Sequence, residues 1–421
     1  ECSQNTKDRY WAQARIYGHL LCQQRHQDHA VITLVYVQTS TDTVSRFTET
    51  KSAAELADDF TDLLDEFTAW LKLRSDIIKQ RNASIATLKF PFPQYRTGQH
   101  EFAAAVYKAI YSRARLFVQA PTGTGKTIST LFPTIKAMGS GLIQRAFYLT
   151  AKQSTRRVAE QAMALMADAG LRAKSITLTA KDTITFADEP DDPSQNPYML
   201  GYYDRLKPAL HDLLEHEDRL TRSVIEAYAR KHTLDPFEFS LDASLFCDVV
   251  ICDYNYLFNP LVFLQRFFSE ADDSQFFLVD EAHNLVSRAR DMYTASLTNQ
   301  DFIDLKQALT PFKGAALTKV RRTMTRIVTT MNTLADQLLN GQSLIFQAAP
   351  LDDLTQVLTR FTETVHDWLA EPPTPALQPA VELVLPVFFL ANQYLRIGDF
   401  YDDTFKTEIA KEHDTIMIKM L

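Results

Sequence analysis

Residues 116–133 read LFVQAPTGTGKTISTLFP, an apolar run, a glycine loop and an amphipathic stretch in direct succession, and that order leaves few folds open. The apolar run predicts a buried strand and the stretch from Lys126 onward a helix. Gly123 and Gly125, with Thr122 and Thr124 between and before them, let the backbone turn so that successive N–H groups point inward at phosphate oxygens. Lys126 adds a point charge, and the Thr127 hydroxyl suits a Mg²⁺ ion. The first glycine of the usual pattern is Ala120 here. A strand that feeds a helix through such a loop belongs to a parallel sheet with crossover helices, which places the chain in the α/β class.

A second element completes the chemistry. Asp280-Glu281-Ala282-His283 follows the apolar run Phe276-Phe277-Leu278-Val279. A nucleotide triphosphate needs its oxygens neutralised and a water aimed at the terminal phosphorus, which one lysine and one metal do not accomplish alone. Asp280, at a strand end, is expected to hold Mg²⁺ through its water shell and Glu281 to polarise the attacking water. His283 lies too far along for a first ligand of the metal. It reads as a coupling residue toward the other half of a motor, with a plain surface histidine as the alternative.

The net charge of −8 hides its distribution, because residues 101–180 carry eleven Lys/Arg against three Asp/Glu. A basic segment around a phosphate loop, inside an otherwise acidic chain, suits a phosphate-backbone track, although solvated helix faces give the same count. The four cysteines, Cys2, Cys22, Cys247 and Cys252, show no C-x-x-C spacing and read as reduced, buried thiols of a cytoplasmic protein. No signal peptide is evident and no apolar run approaches the ~18 residues that cross a bilayer. The longest, 381–390, is broken by Glu382 and Pro386 and is expected to be a core helix, so no membrane partner is predicted.

The pattern changes several times along the 421 residues, more than one core usually holds. Residues 6–28 have helical period, 29–39 and 43–49 read as a hairpin around Ser40-Thr41-Asp42, and a helix over 52–82 leads into the boundary FPFPQYRTGQ. Helix and strand alternate to about 180 through LFVQAP, AFYLTA and KSITLTA. Residues 181–236, with seven Lys/Arg against twelve Asp/Glu, break the alternation. It returns at VVICDYNYLF (249–258) and FFLVDEAHNL (276–285). Residues 296–400 read as almost wholly helical, and the final FKTEIAKEHDTIMIKML as two strands rejoining the sheet.

In order, Tyr95-Arg96-Thr97-Gly98-Gln99, APTGTGKT at 120–127, YLTAK at 148–152, VVICDYNYLFNP at 249–260 and VDEAHNL at 279–285 resemble the superfamily 2 DNA helicases of the DinG/XPD type over most of 86–421. The resemblance implies a RecA-like motor domain (86–180 and 237–295), a mixed insert (181–236), an all-helical arch (296–404) and return strands (405–421). It assigns Gln99 to the adenine base, Gly123, Gly125, Lys126 and Thr127 to phosphates and Mg²⁺, and Asp280 and Glu281 to metal and water. It also places Thr150 and Lys152 in the segment that touches a single strand. On the residues alone, Gln99 also fits as a helix cap, and Thr150 and Lys152 as polar strand-end residues. Relatives bind a four-iron, four-sulfur cluster in the insert through four cysteines. Here no cysteine lies between residues 23 and 246, and the matching positions fall near Thr185, Asp191, Asn196 and Asp235. No cluster is expected, and the insert is expected to hold by packing of Tyr198, Tyr202, Tyr203, Phe237 and Phe239.

Gln13-Ala14-Arg15-Ile16-Tyr17 resembles the Q-x-x-x-Y helix of RecB-type PD-(D/E)xK nuclease domains, so residues 1–85 read as a partial α/β nuclease-like segment with a linking helix and no metal strands. In relatives a Ser-Ala-Thr motif and a second motor domain follow the strand equivalent to 415–421. This stretch alone is therefore expected to hydrolyse ATP barely. The resulting expectation is a monomeric, ATP- and Mg²⁺-dependent DNA helicase, translocating 5′ to 3′ on single-stranded or forked DNA in repair or replication. The alternatives are a nucleotide-gated single-strand-binding module and a metabolic P-loop enzyme.

Overall fold

The computed structural model describes residues 4–38, 43–121, 123–190, 195–268, 273–370, 374 and 376–421, the side chains of 4–6 excepted. Helix α1 (Gln4–Arg25) and the antiparallel hairpin of β1 (His29–Gln38) and β2 (Thr43–Ser52) precede the long helix α2 (Ala53–Thr87). Alternation along β1 turns Ala30 and Ile32 inward onto Cys22 and Leu56, and leaves Val31 and Val35 exposed. The hairpin loop, Ser40-Thr41-Asp42, lies outside the described residues. Ser52 starts α2 with a capping box: its hydroxyl accepts from the Glu55 N–H at 3.2 Å, and the Glu55 carboxylate accepts from the Ser52 N–H at 2.8 Å.

Helices α3 (Gln99–Tyr111) and α4 (Lys126–Gly139) are followed by β3 (Arg145–Thr150), α5 (Gln153–Asp168) and β4 (Ser175–Thr177). Then come α6 (Lys181–Ile184), α7 (Tyr202–His216), β5 (Arg219–Leu220), α8 (Arg222–His232) and α9 (Pro236–Ser244), and after them β6 (Val249–Asp253), α10 (Asn255–Phe258), α11 (Gln265–Phe268) and β7 (Gln275–Val279). Five strands form one sheet in the order β5-β4-β6-β3-β7. The starting ends of all five lie side by side: Arg145 N–H donates to Ser274 C=O (3.3 Å), Ala146 to Asp248 (2.8 Å), Asp248 to Lys174 (2.8 Å) and Ser175 to Asp218 (2.9 Å). The sheet is therefore parallel, as the alternation of elements requires. Ile128, Leu131 and Ile135 of α4 pack with Tyr148, Val249 and Ile251 of the sheet. Because α4 leads back into β3 through a short loop, its first turn lies at the carboxyl end of that strand.

One expected strand is absent from the sheet. Residues 116–121 adopt no strand, and Phe117 is 89% exposed. Among the described residues the sheet ends at β7.

The chain divides into two compact units, Glu1–Cys252 with Asp272–Leu278, and Asp253–Ala271 with Val279–Leu421. The second holds α12 (Leu285–Met292), β8 (Ala295–Thr298), α13 (Asn299–Ala308), α14 (Ala315–Leu339), β9 (Leu344–Gln347), α15 (Asp352–Leu369), α16 (Gln378–Gly398), β10 (Thr407–Glu412) and β11 (Thr415–Met420). Two expectations change here. The arch region is not all helical, and β10 and β11 do not return to the parallel sheet. They pair with β9 and β8 in an antiparallel sheet of order β8-β11-β10-β9, whose Ile409, Ile416 and Ile418 share a core with Met324, Ile327 and Phe361 of α14 and α15. The period-2 pattern of the last residues identified strands but not their partners, which lie far along the chain. Asn299 ties the two ends of the unit, donating to Asp414 C=O (3.0 Å) and accepting from the Ile416 N–H (2.9 Å). Helix α16 is long and apolar enough to cross a membrane by length and composition. Its Ala380, Val384, Ala391 and Ile397 are buried in this core.

Helix α2 is joined to the parallel sheet by a buried ion pair. The Arg81 guanidinium donates to the Asp248 carboxylate at 2.6 Å, and the Lys174 N–H donates to the other oxygen at 2.8 Å. Burial pushes the Asp248 carboxyl above its ordinary range against the pull of Arg81. Replacing Arg81 by Met leaves that carboxylate buried without its cation. The expected loss is about 3–5 kcal/mol of stability, measured by urea denaturation of the chain; a loss below ~1 kcal/mol would contradict it.

Candidate active site

The glycine loop has the backbone its sequence demands. Gly123 and Gly125 have φ of +84° and +74°, the left-handed region that favours glycine, and Gly125 is the N-cap of α4. The loop therefore ends on a helix N-terminus, with amides and dipole directed at any anion it holds. The Thr124 hydroxyl closes the turn onto Pro121 C=O (2.9 Å), and Tyr148 of β3 donates its hydroxyl to the Thr127 Oγ1 (3.3 Å). Lys126 is half-buried at the start of α4, and Thr122 lies outside the described residues.

Gln99 is buried, at 4% exposure, against this loop. A Cβ at Gly125 would come within 2.5 Å of the Gln99 Nε2, and the Gln99 Oε1 accepts from the Arg96 N–H at 2.9 Å. Arg96, in turn, donates to Gly123 C=O. Sequence reasoning passed over Arg96 although it sits inside the Tyr95-to-Gln99 motif; its cation three residues before Gln99 was the signal. For Gly125→Ala, strain at positive φ together with the crowded Gln99 is expected to cost about 1–2 kcal/mol, read by thermal denaturation. Unchanged stability would remove the argument from backbone geometry.

The expected nucleic-acid residues separate. Thr150 is 1% exposed, with its hydroxyl bonded to that of Thr155, so it braces the turn into α5 and does not face solvent. Lys152 is exposed as the N-cap of α5. On α14, Lys319, Arg322 and Arg326 are exposed along one face.

Asp280 is the first residue beyond the carboxyl end of β7, and the acidic box belongs to the second compact unit. Asp280 and Glu281 are half-buried. Glu281 has φ +52° and ψ +46° and caps the short 3₁₀ turn Ala282–Asn284. His283 is exposed, its Nδ1 3.4 Å from a Glu281 carboxylate oxygen. Tyr254, fully buried, donates to Asp280 C=O and stands 3.2 Å from Glu281 C=O. Its hydroxyl is pushed up to about 12 by burial and then by the charges of Asp280, Glu281 and Asp253.

Residues 202–302, from α7 through the acidic box, match the DEAD_2 family model. A 47-residue stretch is 40% identical to a probable ATP-dependent helicase of Methanocaldococcus jannaschii, covering 11% of this chain and 7% of that protein. Over residues 202–302 the chain is thus similar to the DinG/XPD type of superfamily 2 helicases. Solved structures similar to it include an XPD helicase (TM-score 0.46, 13% identity, 78% of this chain and 54% of that one) and a truncated XPD (TM-score 0.44, 14% identity, 76% and 86%). The chain thus spans about half of the first of these structures and a small part of the curated relative. Among the described residues no three His, Cys, Asp or Glu side chains converge as a metal cage, and a Mg²⁺ that draws its ligands from phosphate oxygens and water does not require one.

The side chains at the positions where the resemblance implied a four-iron, four-sulfur cluster do not fit one. The Thr185 hydroxyl donates to Lys181 C=O (2.7 Å), and the Asn196 amide donates to Glu189 (3.0 Å) while accepting from the Tyr198 N–H (2.9 Å). Asp235 caps α9 by accepting from the Glu238 N–H (2.7 Å). Asp191 lies outside the described residues. None of these is a thiolate, and each of the three is engaged locally. An ionic and aromatic knot joins the same segments. Arg230 of α8 binds both Asp188 oxygens (2.6 and 2.5 Å), donates to the Tyr198 hydroxyl and lies 3.7 Å over the Phe186 ring. Of the aromatics expected to pack, Tyr198, Tyr202 and Phe239 are buried, whereas Tyr203 is 70% exposed.

Arg230 holds the Asp188 carboxyl down to about 2, from an ordinary 3.8. A lowered carboxyl favours the fold above its unfolded value, so this contribution is complete at neutral pH and disappears as pH falls from about 4 toward 2. In Arg230→Met, Asp188 is expected to titrate near 3.8 by NMR and amide protection of residues 186–190 and 195–198 to fall at neutral pH. Undiminished protection would assign the insert's order to packing alone.

Proposed function

We propose that the chain forms the first motor half of a cytoplasmic, monomeric, ATP-dependent DNA helicase that translocates 5′ to 3′ on single-stranded or forked DNA in repair or replication. The observation that carries this reading is the glycine loop. Two left-handed glycines close onto the N-terminus of α4 at the carboxyl ends of a parallel sheet, where such sheets bind ligands, and the same sheet's β7 leads directly into the acidic box. In this reading the loop amides and Lys126 take the phosphates, Thr127 and Asp280 hold the Mg²⁺, which neutralises phosphate oxygens when bound, and Glu281 orients the water. Gln99 reaches the base from beside Gly125, His283 couples the box to the second motor half, and Lys152 with the α14 cations borders the strand's path.

The test is strand displacement and DNA-stimulated ATP hydrolysis by the full-length protein, with Lys126→Ala as control. Hydrolysis and unwinding are expected to fall together by on the order of 10²-fold or more in the variant. ATP-sensitive binding of single strands without any unwinding in the unaltered protein would instead establish a nucleotide-gated binding module.

A further inference from the structure

The geometry points to Tyr254 as the positioning residue of the acidic box: its hydroxyl fixes the backbone of Glu281 and thereby aims the carboxylate. This rests on the reading of Glu281 as the residue that orients the water.

Glu281 is one of the few non-glycine residues with positive φ, at +52°. An L-residue there is strained by about 1–3 kcal/mol, and such a conformation persists only where the surroundings over-determine it. Here they do. The Glu281 carbonyl accepts from the Asn284 N–H at 2.9 Å and from the Asn284 Nδ2 at 3.2 Å, and the Tyr254 hydroxyl lies 3.2 Å away on its own approach. The same hydroxyl donates to the Asp280 carbonyl. These two carbonyls belong to the peptide planes before and after the Glu281 Cα. Because each plane is rigid, a group that holds both fixes φ and ψ of Glu281 together, and with them the direction of its Cα–Cβ bond.

The clamp is itself immobile. Tyr254 is fully buried, its ring set edge-on to Phe258 with centroids 6.3 Å apart. The preceding residue, Asp253, accepts from the Arg288 guanidinium at 3.1 Å and from the Asn255 N–H at 3.0 Å. Arg288 lies on α12, one turn beyond Asn284, so the segment carrying Tyr254 and the segment carrying the box are joined on both sides of the clamp.

The experiment compares steady-state ATP hydrolysis by the full-length protein, its Tyr254→Phe variant, which keeps the ring and removes the donor, and Glu281→Gln. For Tyr254→Phe, kcat is expected to fall about ten- to hundredfold, the scale on which small misplacements of reacting groups act, while KM for ATP and the affinity for a fluorescent nucleotide stay within about twofold. Placed on Glu281→Gln, the same change is expected to add no further loss, a non-additivity that general loosening would not give. If Glu281→Gln hydrolyses normally, the reading of the box fails. If Glu281→Gln is inactive and Tyr254→Phe retains full kcat, the clamp alone is refuted. Should Tyr254→Phe fail to fold, Asn284→Ala, which removes one donor to the same carbonyl, is expected to lower kcat at constant KM; an unchanged kcat would overturn the inference.

Discussion

Asp248 holds the first unit together. It stands at the start of β6, the middle strand of the parallel sheet, and accepts from both Arg81 of α2 and the backbone N–H of Lys174 ahead of β4. Its own carbonyl takes the N–H of Ala146, so β3 and β4 are both registered on this one residue. Lys136 of α4 donates to the carbonyls of Ile85, in the last turn of α2, and of Leu88, its C-cap, and fastens the glycine-loop helix to the same strut. The position of the glycine loop therefore follows from contacts made at the opposite end of the strands. A buried carboxylate of this kind is expensive in solvation, and its partners matter mainly because removing one exposes that expense.

At the carboxyl ends the architecture turns to backbone conformation. Gly123 and Gly125 take the left-handed region because no Cβ opposes it, whereas Glu281 takes it despite one. In the proposed function the loop would offer amides to an anion and needs no side chain at those two positions, whereas the acidic box would present a carboxylate from a turn whose two carbonyls are hydrogen-bonded. Arg96 with Gln99, and Tyr254 with Asn284, support the two chemical elements from behind.

The insert, which holds no cysteine, keeps its place by other contacts. Arg230 of α8 joins Phe186, Asp188 and Tyr198 by charge and stacking, a short-range solution available to any four side chains of that chemistry. Arg205 adds to it by donating to the carbonyls of Pro197 and Thr233.

The residues themselves determined the α/β class, the glycine loop and the turn of the acidic box, because glycine freedom, strand-to-helix order and charge spacing are local properties written in consecutive positions. The long helix α2, the hairpin before it and the buried cysteines 22, 247 and 252 were legible for the same reason. Tertiary structure alone decided what depends on distant partners. It placed β10 and β11 in a second sheet, left residues 116–121 out of any strand, turned Thr150 inward, and brought Arg230 and Tyr254 to positions that no spacing announced. A period shows that a segment is a strand or a helix, but hydrogen-bond partners across a hundred residues are selected by packing, and packing is settled only when the chain has folded.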